Sequence, residues 1–304
     1  MRVEQPTRLW RLPGGELIRS QSWKDAERRG CQYLRFFPKD RLTVGITTNG
    51  TVHLWDLATG AHQKAIPLGG SGFVPQRLSS DHRWLLGTTR DMGILVLCDL
   101  WESQRVANFA FGWVICYAAA FSPDNRWLAF STIDRFEAIK VWDLSARQLK
   151  QTLLSLKYSQ TFGALAMAYS PDGKVLACGG YSGEIRLWST ATGIPIEPTL
   201  KGHNVAVGRL AFSADGKTLA SGGGDLNIRL WNVATRQEML LLPDAFMTSG
   251  ENRLITDAHY AGQAELTPGD RWMLWQEQRG PIRVTQLPSL AETDAIDKSR
   301  GQQP

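Results

Sequence analysis

Ile228-Arg229-Leu230-Trp231-Asn232 is a short apolar strand that closes on a tryptophan and a polar turn residue, and the chain writes it repeatedly. Upstream copies are Ile185-Arg186-Leu187-Trp188-Ser189, Lys140-Val141-Trp142-Asp143, Leu95-Val96-Leu97-Cys98-Asp99 and Val52-His53-Leu54-Trp55-Asp56. Arg8-Leu9-Trp10-Arg11 is an earlier copy, and Ile282-Arg283-Val284-Thr285 is a worn one. From Trp10 the equivalent positions follow at steps of 45, 43, 44, 46, 43 and 54 residues. Self-similarity at a period of roughly 40–45 residues marks a supersecondary unit that buries its faces only by stacking on its neighbours.

A second element keeps phase with the first. It reads Phe121-Ser122-Pro123-Asp124-Asn125, Tyr169-Ser170-Pro171-Asp172-Gly173 and Phe212-Ser213-Ala214-Asp215-Gly216, with weaker forms at Phe37-Pro38-Lys39-Asp40, Leu78-Ser79-Ser80-Asp81 and Leu266-Thr267-Pro268-Gly269-Asp270. A strand ends on an aromatic or Leu, Pro presets a turn dihedral, and Asn or Gly accepts the left-handed position. Apolar alternation then resumes, as in Lys217-Thr218-Leu219-Ala220-Ser221, which is the pattern of a hairpin. The two elements together predict an all-β fold: one β-propeller of four-stranded antiparallel blades.

On these residues the chain resembles the WD40-repeat family, in its bacterial form and with an ending like the WD-repeat region of a larger signalling protein. In that family a His, a Ser or Thr, an Asp and the strand-c Trp form a buried tetrad. The resemblance therefore implies that His203, Ser221, Asp225 and Trp231 are hydrogen-bonded in series. The other repeats keep only parts of the set. Asn49 and Ser182 stand in the Asp place, Cys98 replaces a Trp, and no other repeat has a Gly-His pair.

Six inner-strand sets are expected, near residues 31–56, 74–98, 115–142, 162–188, 205–231 and 261–286. Six outer strands are expected near 16–20, 62–68, 104–109, 148–154, 194–200 and 237–242. These counts would close six blades if 16–20 joined the C-terminal set, with seven blades as the alternative. Residues 8–12 would then be left over. The domain reading is an N-terminal extension at 1–7, a propeller at 8–287 and a polar tail at 288–304, where Ser289-Leu290-Ala291-Glu292 could cap a short helix. An insertion at 243–260 breaks the period.

Bulk composition fits a soluble globular protein. Of 304 residues, 43% are hydrophobic and 21% charged, which excludes wholesale disorder. A net charge of +5 places nucleic acid below protein as a partner class. The cysteines Cys31, Cys98, Cys116 and Cys178 lie in or beside apolar runs without CxxC spacing, and are read as reduced structural thiols. The N-terminus has no apolar core of signal-peptide length, and no segment approaches a membrane span, so a cytoplasmic protein with no membrane partner is expected.

No catalytic set emerges. His53 lies on a strand, His62 and His82 are assigned to turns, and no second His or carboxylate sits at a repeating metal-ligand spacing. The glycine runs at Gly69-Gly70-Ser71-Gly72 and Gly222-Gly223-Gly224 fall at blade turns, not between a strand and a helix. No enzyme activity, cofactor or metal is expected. Loop acids such as Asp134, Glu137 and Glu277 leave a propeller hydrolase as a minor reading.

In the family, one ring face gathers the connections into and out of the inner strands. That resemblance puts Trp23, Arg90, Trp113, Arg135, Phe136, Tyr158, Tyr181 and Arg279 on the partner-binding face, together with Lys24, Arg28, Arg29, Phe73 and Phe111. Aromatics and arginines outside regular strand positions are the residue types of interface hot spots. The expected function is a protein-binding scaffold, monomeric by itself, for a protein or peptide partner. The alternative is a sensor or regulatory module of a bacterial signalling enzyme such as a Ser/Thr protein kinase.

Overall fold

The computed structural model describes residues 7–11, 16–21, 29–37, 42–70, 72–89, 94–109, 118–131, 139–153, 164–225, 227–242, 264–266, 272–276 and 282–286. The chain divides into two compact units, Met1–Cys116 and Tyr117–Pro304.

The first unit opens with an antiparallel pair, β1 (Thr7–Arg11) and β2 (Glu16–Gln21). Residues 8–11, within the segment expected to be left over, pair with the strand that follows. Next come two four-stranded antiparallel sheets in chain order. One holds β3 (Cys31–Phe37), β4 (Leu42–Thr47), β5 (Thr51–Asp56) and β6 (His62–Pro67). The other holds β7 (Phe73–Leu78), β8 (Trp84–Thr89), β9 (Leu95–Asp99) and β10 (Gln104–Phe109).

The second unit repeats the pattern three times. Its sheets are β11 (Ala119–Phe121), β12 (Trp127–Ser131), β13 (Ile139–Asp143) and β14 (Gln148–Leu153); then β15 (Ala164–Tyr169), β16 (Val175–Gly180), β17 (Ile185–Ser189) and β18 (Pro195–Leu200). The third is β19 (Val207–Phe212), β20 (Thr218–Gly223), β21 (Ile228–Asn232) and β22 (Glu238–Leu242). A three-stranded sheet of β23 (Ala264–Leu266), β24 (Trp272–Gln276) and β25 (Ile282–Gln286) follows. Among the described residues the fold is all-β, and its five four-stranded antiparallel sheets are consistent with propeller blades of the WD40 type. No helix of the described residues is long and apolar enough to cross a membrane. The insertion at 243–260 and the tail from 288 lie outside the described residues.

Burial follows position within each blade. Every residue of β4 and β20 is buried, while the outer strand β14 is mostly exposed. A second strand covered on both faces must be apolar or small throughout, whereas an outer strand needs only its inward positions. Trp55, Trp188 and Trp231 are among the largest fully buried side chains. One apolar cluster joins Val44, Ile46, Val52, Phe73 and Leu85 across the two blades of the first unit. Another joins Ala177, Ile185, Leu187, Val207, Leu219 and Trp231 across β15–β18 and β19–β22. Burial of this kind stabilises by roughly 25 cal/mol per Å² of apolar surface, so stacking of blades, not any one blade, supplies the core.

Two turns recur and explain the sequence motifs. In the first, Ser79, Ser122, Ser170 and Ser213 each donate their hydroxyl to the Asp two residues on, at 2.5–2.7 Å. The same hydroxyl oxygen accepts the backbone N–H of Trp84, Trp127, Val175 or Thr218, the first residue of the second strand. His82, Asn125, Gly173 and Gly216 take the left-handed position in these four turns. In the second turn, the residue after the repeat's Trp position caps the link to the outer strand. Asp56, Asp99, Asp143 and Asn232 accept backbone N–H groups from the following turn through their side chains. The Asp in each repeat is therefore a turn acceptor, which is why Asn can replace it.

Candidate functional site

The buried tetrad lies in the β19–β22 blade. Trp231 Nε1–H donates to Ser221 Oγ at 2.8 Å, and Ser221 Oγ lies 2.8 Å from His203 Nε2. His203 Nδ1 faces both carboxylate oxygens of Asp225 at 2.9 Å. One proton arrangement satisfies the series: Nδ1–H donates to Asp225, and the Ser221 hydroxyl donates to the lone pair of Nε2. The His203 side chain is fully buried. Burial drives its pKa below the ordinary histidine value, outweighing the opposite pull of the Asp225 carboxylate, so the neutral ring that this arrangement requires is the stable one.

The register shows why one blade alone has this chemistry among those whose side chains are described. Trp231 pairs across the sheet with Leu219, and the serine lies two residues further along β20. The same construction from Trp188 and Leu176 reaches Cys178. From Trp55 and Thr43 it reaches Gly45, from Cys98 and Leu85 it reaches Gly87, and from Trp142 and Leu128 it reaches Phe130. At Gly45 a methyl group would meet the Trp55 ring at 2.7 Å, and at Gly87 one would meet the Phe73 ring at 2.1 Å. In those two blades an aromatic ring fills the space that the hydroxyl would take. In the β15–β18 blade, the buried Trp188 Nε1 has no hydrogen-bond partner among the described residues.

Above the tetrad, three connections of the second unit meet. The β18–β19 connection carries His203 and Val205 between the β16–β17 connection, with Tyr181 and Gly183, and the β20–β21 connection, with Gly224 and Asp225. Gly224 N–H donates to Ala206 O at 2.8 Å. A methyl group at Gly183 would lie 2.3 Å from the His203 carbonyl oxygen, and one at Gly224 would lie 3.3 Å from Val205 Cγ2. Gly183 also has a φ of +83°, so glycine is required there both for conformation and for close approach. Beside them Glu184 bridges Arg186 at 3.2 Å and Lys201 at 3.4 Å. Tyr181 and Val205, 36% and 41% exposed, stand out on this otherwise polar loop cluster.

Of the residues expected on the partner-binding face, Tyr181, Arg29 and Phe73 have described side chains. Trp23, Arg90, Trp113, Arg135, Phe136, Tyr158 and Arg279 lie outside the described residues, as do Lys24, Arg28 and Phe111. Arg29 is exposed. Phe73 corrects the expectation for it. It is fully buried against Gly87, with the Arg105 guanidinium 5.5 Å from its ring centroid, and it serves the core. Val205 carried no sequence signal beyond its place two residues after the Gly-His.

Two further groupings were invisible in the sequence. Arg83 sits between the rings of Trp84 and Trp101, at 4.9 and 5.2 Å, and binds the buried Asp99 at 2.7 Å. Burial opposes the charge on Asp99, but hydrogen bonds from Arg83, Glu102 N–H and Trp101 N–H prevail and lower its pKa. Trp101, at 61%, is strongly exposed. The second grouping is His53 and His62. His62 opens strand β6 and is not a turn residue, and its Nε2 lies 3.0 Å from His53 Nδ1.

Cys31, Cys98 and Cys178 are buried, and Cys116 lies outside the described residues. Burial pushes the Cys98 thiol up to about 12 and raises that of Cys178 as well, so neither forms a thiolate near neutrality.

Comparison with known proteins agrees with this geometry. Residues 152–189 and 196–232 match the WD40 family, described as WD domain, G-beta repeat. These two segments are therefore WD repeats. It is similar to the small ribosomal subunit protein RACK1y of Oryza sativa subsp. japonica, at 28% identity over 46% of this chain and 41% of that one. RACK1z of the same plant is 29% identical over 40% of this chain and 36% of its own. Telomerase protein component 1 of Rattus norvegicus is 32% identical over 56% of this chain and 6% of that protein. The similarity thus spans about two-fifths or less of each relative's length.

Proposed function

We propose that this chain is a non-catalytic protein-binding scaffold, and that a protein or peptide docks on the loop cluster that carries Tyr181 and Val205. WD40 repeats and the likeness to RACK1 proteins support a protein-interaction role. The carrying observation is the pair of exposed side chains on connections fixed by Gly183, Gly224 and the tetrad beneath them. An aromatic and an apolar side chain held in place lose little conformational freedom when a partner covers them, which is what makes such positions hot spots.

The test is affinity capture with the full chain, comparing Tyr181→Ala and Val205→Ser with wild type. Partners captured by the wild type should be lost or strongly depleted in both variants, with the circular dichroism spectrum and the Tm unchanged. Leu149→Ala and Ile194→Ala, exposed apolar positions beside the turns into β14 and β18, should capture the same partners as wild type. An unchanged partner set in the Tyr181 and Val205 variants would refute the assignment of this face.

A further inference from the structure

Strands β5 and β6 of the first unit carry a pair of imidazoles where another blade carries an ion pair. In the β19–β22 blade, Arg229, two residues before Trp231, bonds through its guanidinium to Glu238, the residue opposite Trp231. In the β3–β6 blade the corresponding residues are His53, two before Trp55, and His62, opposite Trp55. A bulge between Leu54 and Trp55 makes this possible. Without that shift Gln63 would oppose Trp55, and His62 would point to the other face of the sheet. With it, both imidazoles and the Trp55 indole share one face.

Two ring nitrogens face each other across the strands as a hydrogen-bonded pair. His53 Nδ1 and His62 Nε2 are 3.0 Å apart. The Trp55 ring centroid lies 5.7 Å from that of His53 and 5.4 Å from that of His62, so the indole packs beside both imidazoles and limits their freedom. His53 is 6% exposed and His62 is half-buried on the outer strand, so the pair is anchored at one end and open at the other. With the usual metal–nitrogen distance of about 2.0–2.1 Å, two nitrogens kept at this separation would subtend about 91–97° at a shared ion. That angle suits the square-planar or tetragonal coordination of Cu2+ and Ni2+ better than the tetrahedron of Zn2+.

We propose that His53 and His62 form a two-imidazole site for a tetragonal divalent cation of the Cu2+ or Ni2+ class. Both facing nitrogens must offer lone pairs. The ring that now donates moves its proton to its other nitrogen, and a turn of the half-exposed His62 ring brings the two lone pairs together. No group of three or more His, Cys, Asp or Glu side chains with metal-binding geometry occurs among the described residues, so water would complete the coordination. These two histidines belong to the first unit, and the residues of the proposed docking face belong to the second.

Titration of the full chain with CuCl2 and with NiCl2 at pH 7.5, followed by calorimetry and tryptophan fluorescence, tests the proposal. One equivalent of either ion should bind, Cu2+ more tightly than Ni2+, and Cu2+ should quench part of the tryptophan emission. His53→Gln and His62→Gln should each weaken binding by more than about tenfold, since even outer-shell partners of metal sites contribute 10–100-fold. Gln can still hydrogen-bond across the strands, and circular dichroism verifies that each variant folds. Trp55→Phe should keep the affinity and lose the quenching, which places the bound ion beside that indole. Binding that persists at full strength in the His53→Gln/His62→Gln double variant, or a wild type that takes up neither ion, would overturn the site.

Discussion

The β15–β18 and β19–β22 blades are neighbours in one unit, both match the WD40 family, and they share an apolar cluster, yet they bury their tryptophans in opposite chemical settings. Trp231 ends a four-residue hydrogen-bonded series, while Trp188 sits 1% exposed beside Cys178 with its indole N–H unpaired among the described residues. The rest is common to both: strand lengths within a residue or two, the Ser-x-Asp turn, and a side-chain acceptor after the tryptophan. Stacking and turns therefore suffice to build a blade. The tetrad is a local addition that ties the β18–β19 connection, through His203, to β20 and to the β20–β21 connection.

The largest break in this comparison should come from Ser221→Ala. It leaves the Trp231 indole N–H and the His203 Nε2 without partners in a buried setting, at a cost of about 2–4 kcal/mol, measurable by urea unfolding. Removing the thiol by Cys178→Ala strands no hydrogen bond and should cost distinctly less.

Acid should separate the two blades next. Below about pH 6.5 the unfolded chain protonates His203, whereas the folded blade, with its lowered His203 pKa, does not. Stability should therefore fall as pH drops from about 6.5 toward the folded-state value, and His203→Gln should flatten that part of the profile. Asp172 and Asp215, whose pKa values are lowered by hydrogen bonds in the two equivalent turns, should add a second loss only below about pH 4. An unchanged slope between pH 5 and 6.5 in His203→Gln would count against the neutral-ring assignment.

Smaller effects sharpen what the blades share. Ser170→Ala and Ser213→Ala remove the same turn hydroxyl from each blade and should cost a similar amount, about 1 kcal/mol in chemical unfolding. The smallest change should follow Cys178→Ser. A hydroxyl there gives the Trp188 N–H an acceptor but lacks a histidine to receive its own proton, so gain and loss should cancel to within about 1 kcal/mol.

The parts of this molecule that were legible in sequence are those fixed by residues close together along the chain. The strand-c repeat and the Ser-x-Asp turn each occupy five residues or fewer, and their strands appear within a few residues of the expected positions. The tetrad was legible through the family resemblance, which ties four residue types to fixed offsets. The fate of Phe73 was not. An aromatic at the start of a strand looks the same whether it faces solvent or covers a glycine, and Gly87 decides the matter from the neighbouring strand. Trp101 and Arg83 come together only because two separate turns of one blade lie side by side.

The amino-acid sequence by itself determined that this protein is made of repeated four-stranded β-units, because alternation, turn residues and the tryptophan period are local properties of the chain. Tertiary structure decided which side chains meet. The bulge at Trp55 brings His53 and His62 to one face. The register of β20 on β21 puts Ser221 under Trp231, where other blades offer Cys178, Gly45, Gly87 or Phe130. A shift of one residue reverses the face of every side chain in a strand, and no residue type announces that shift in advance.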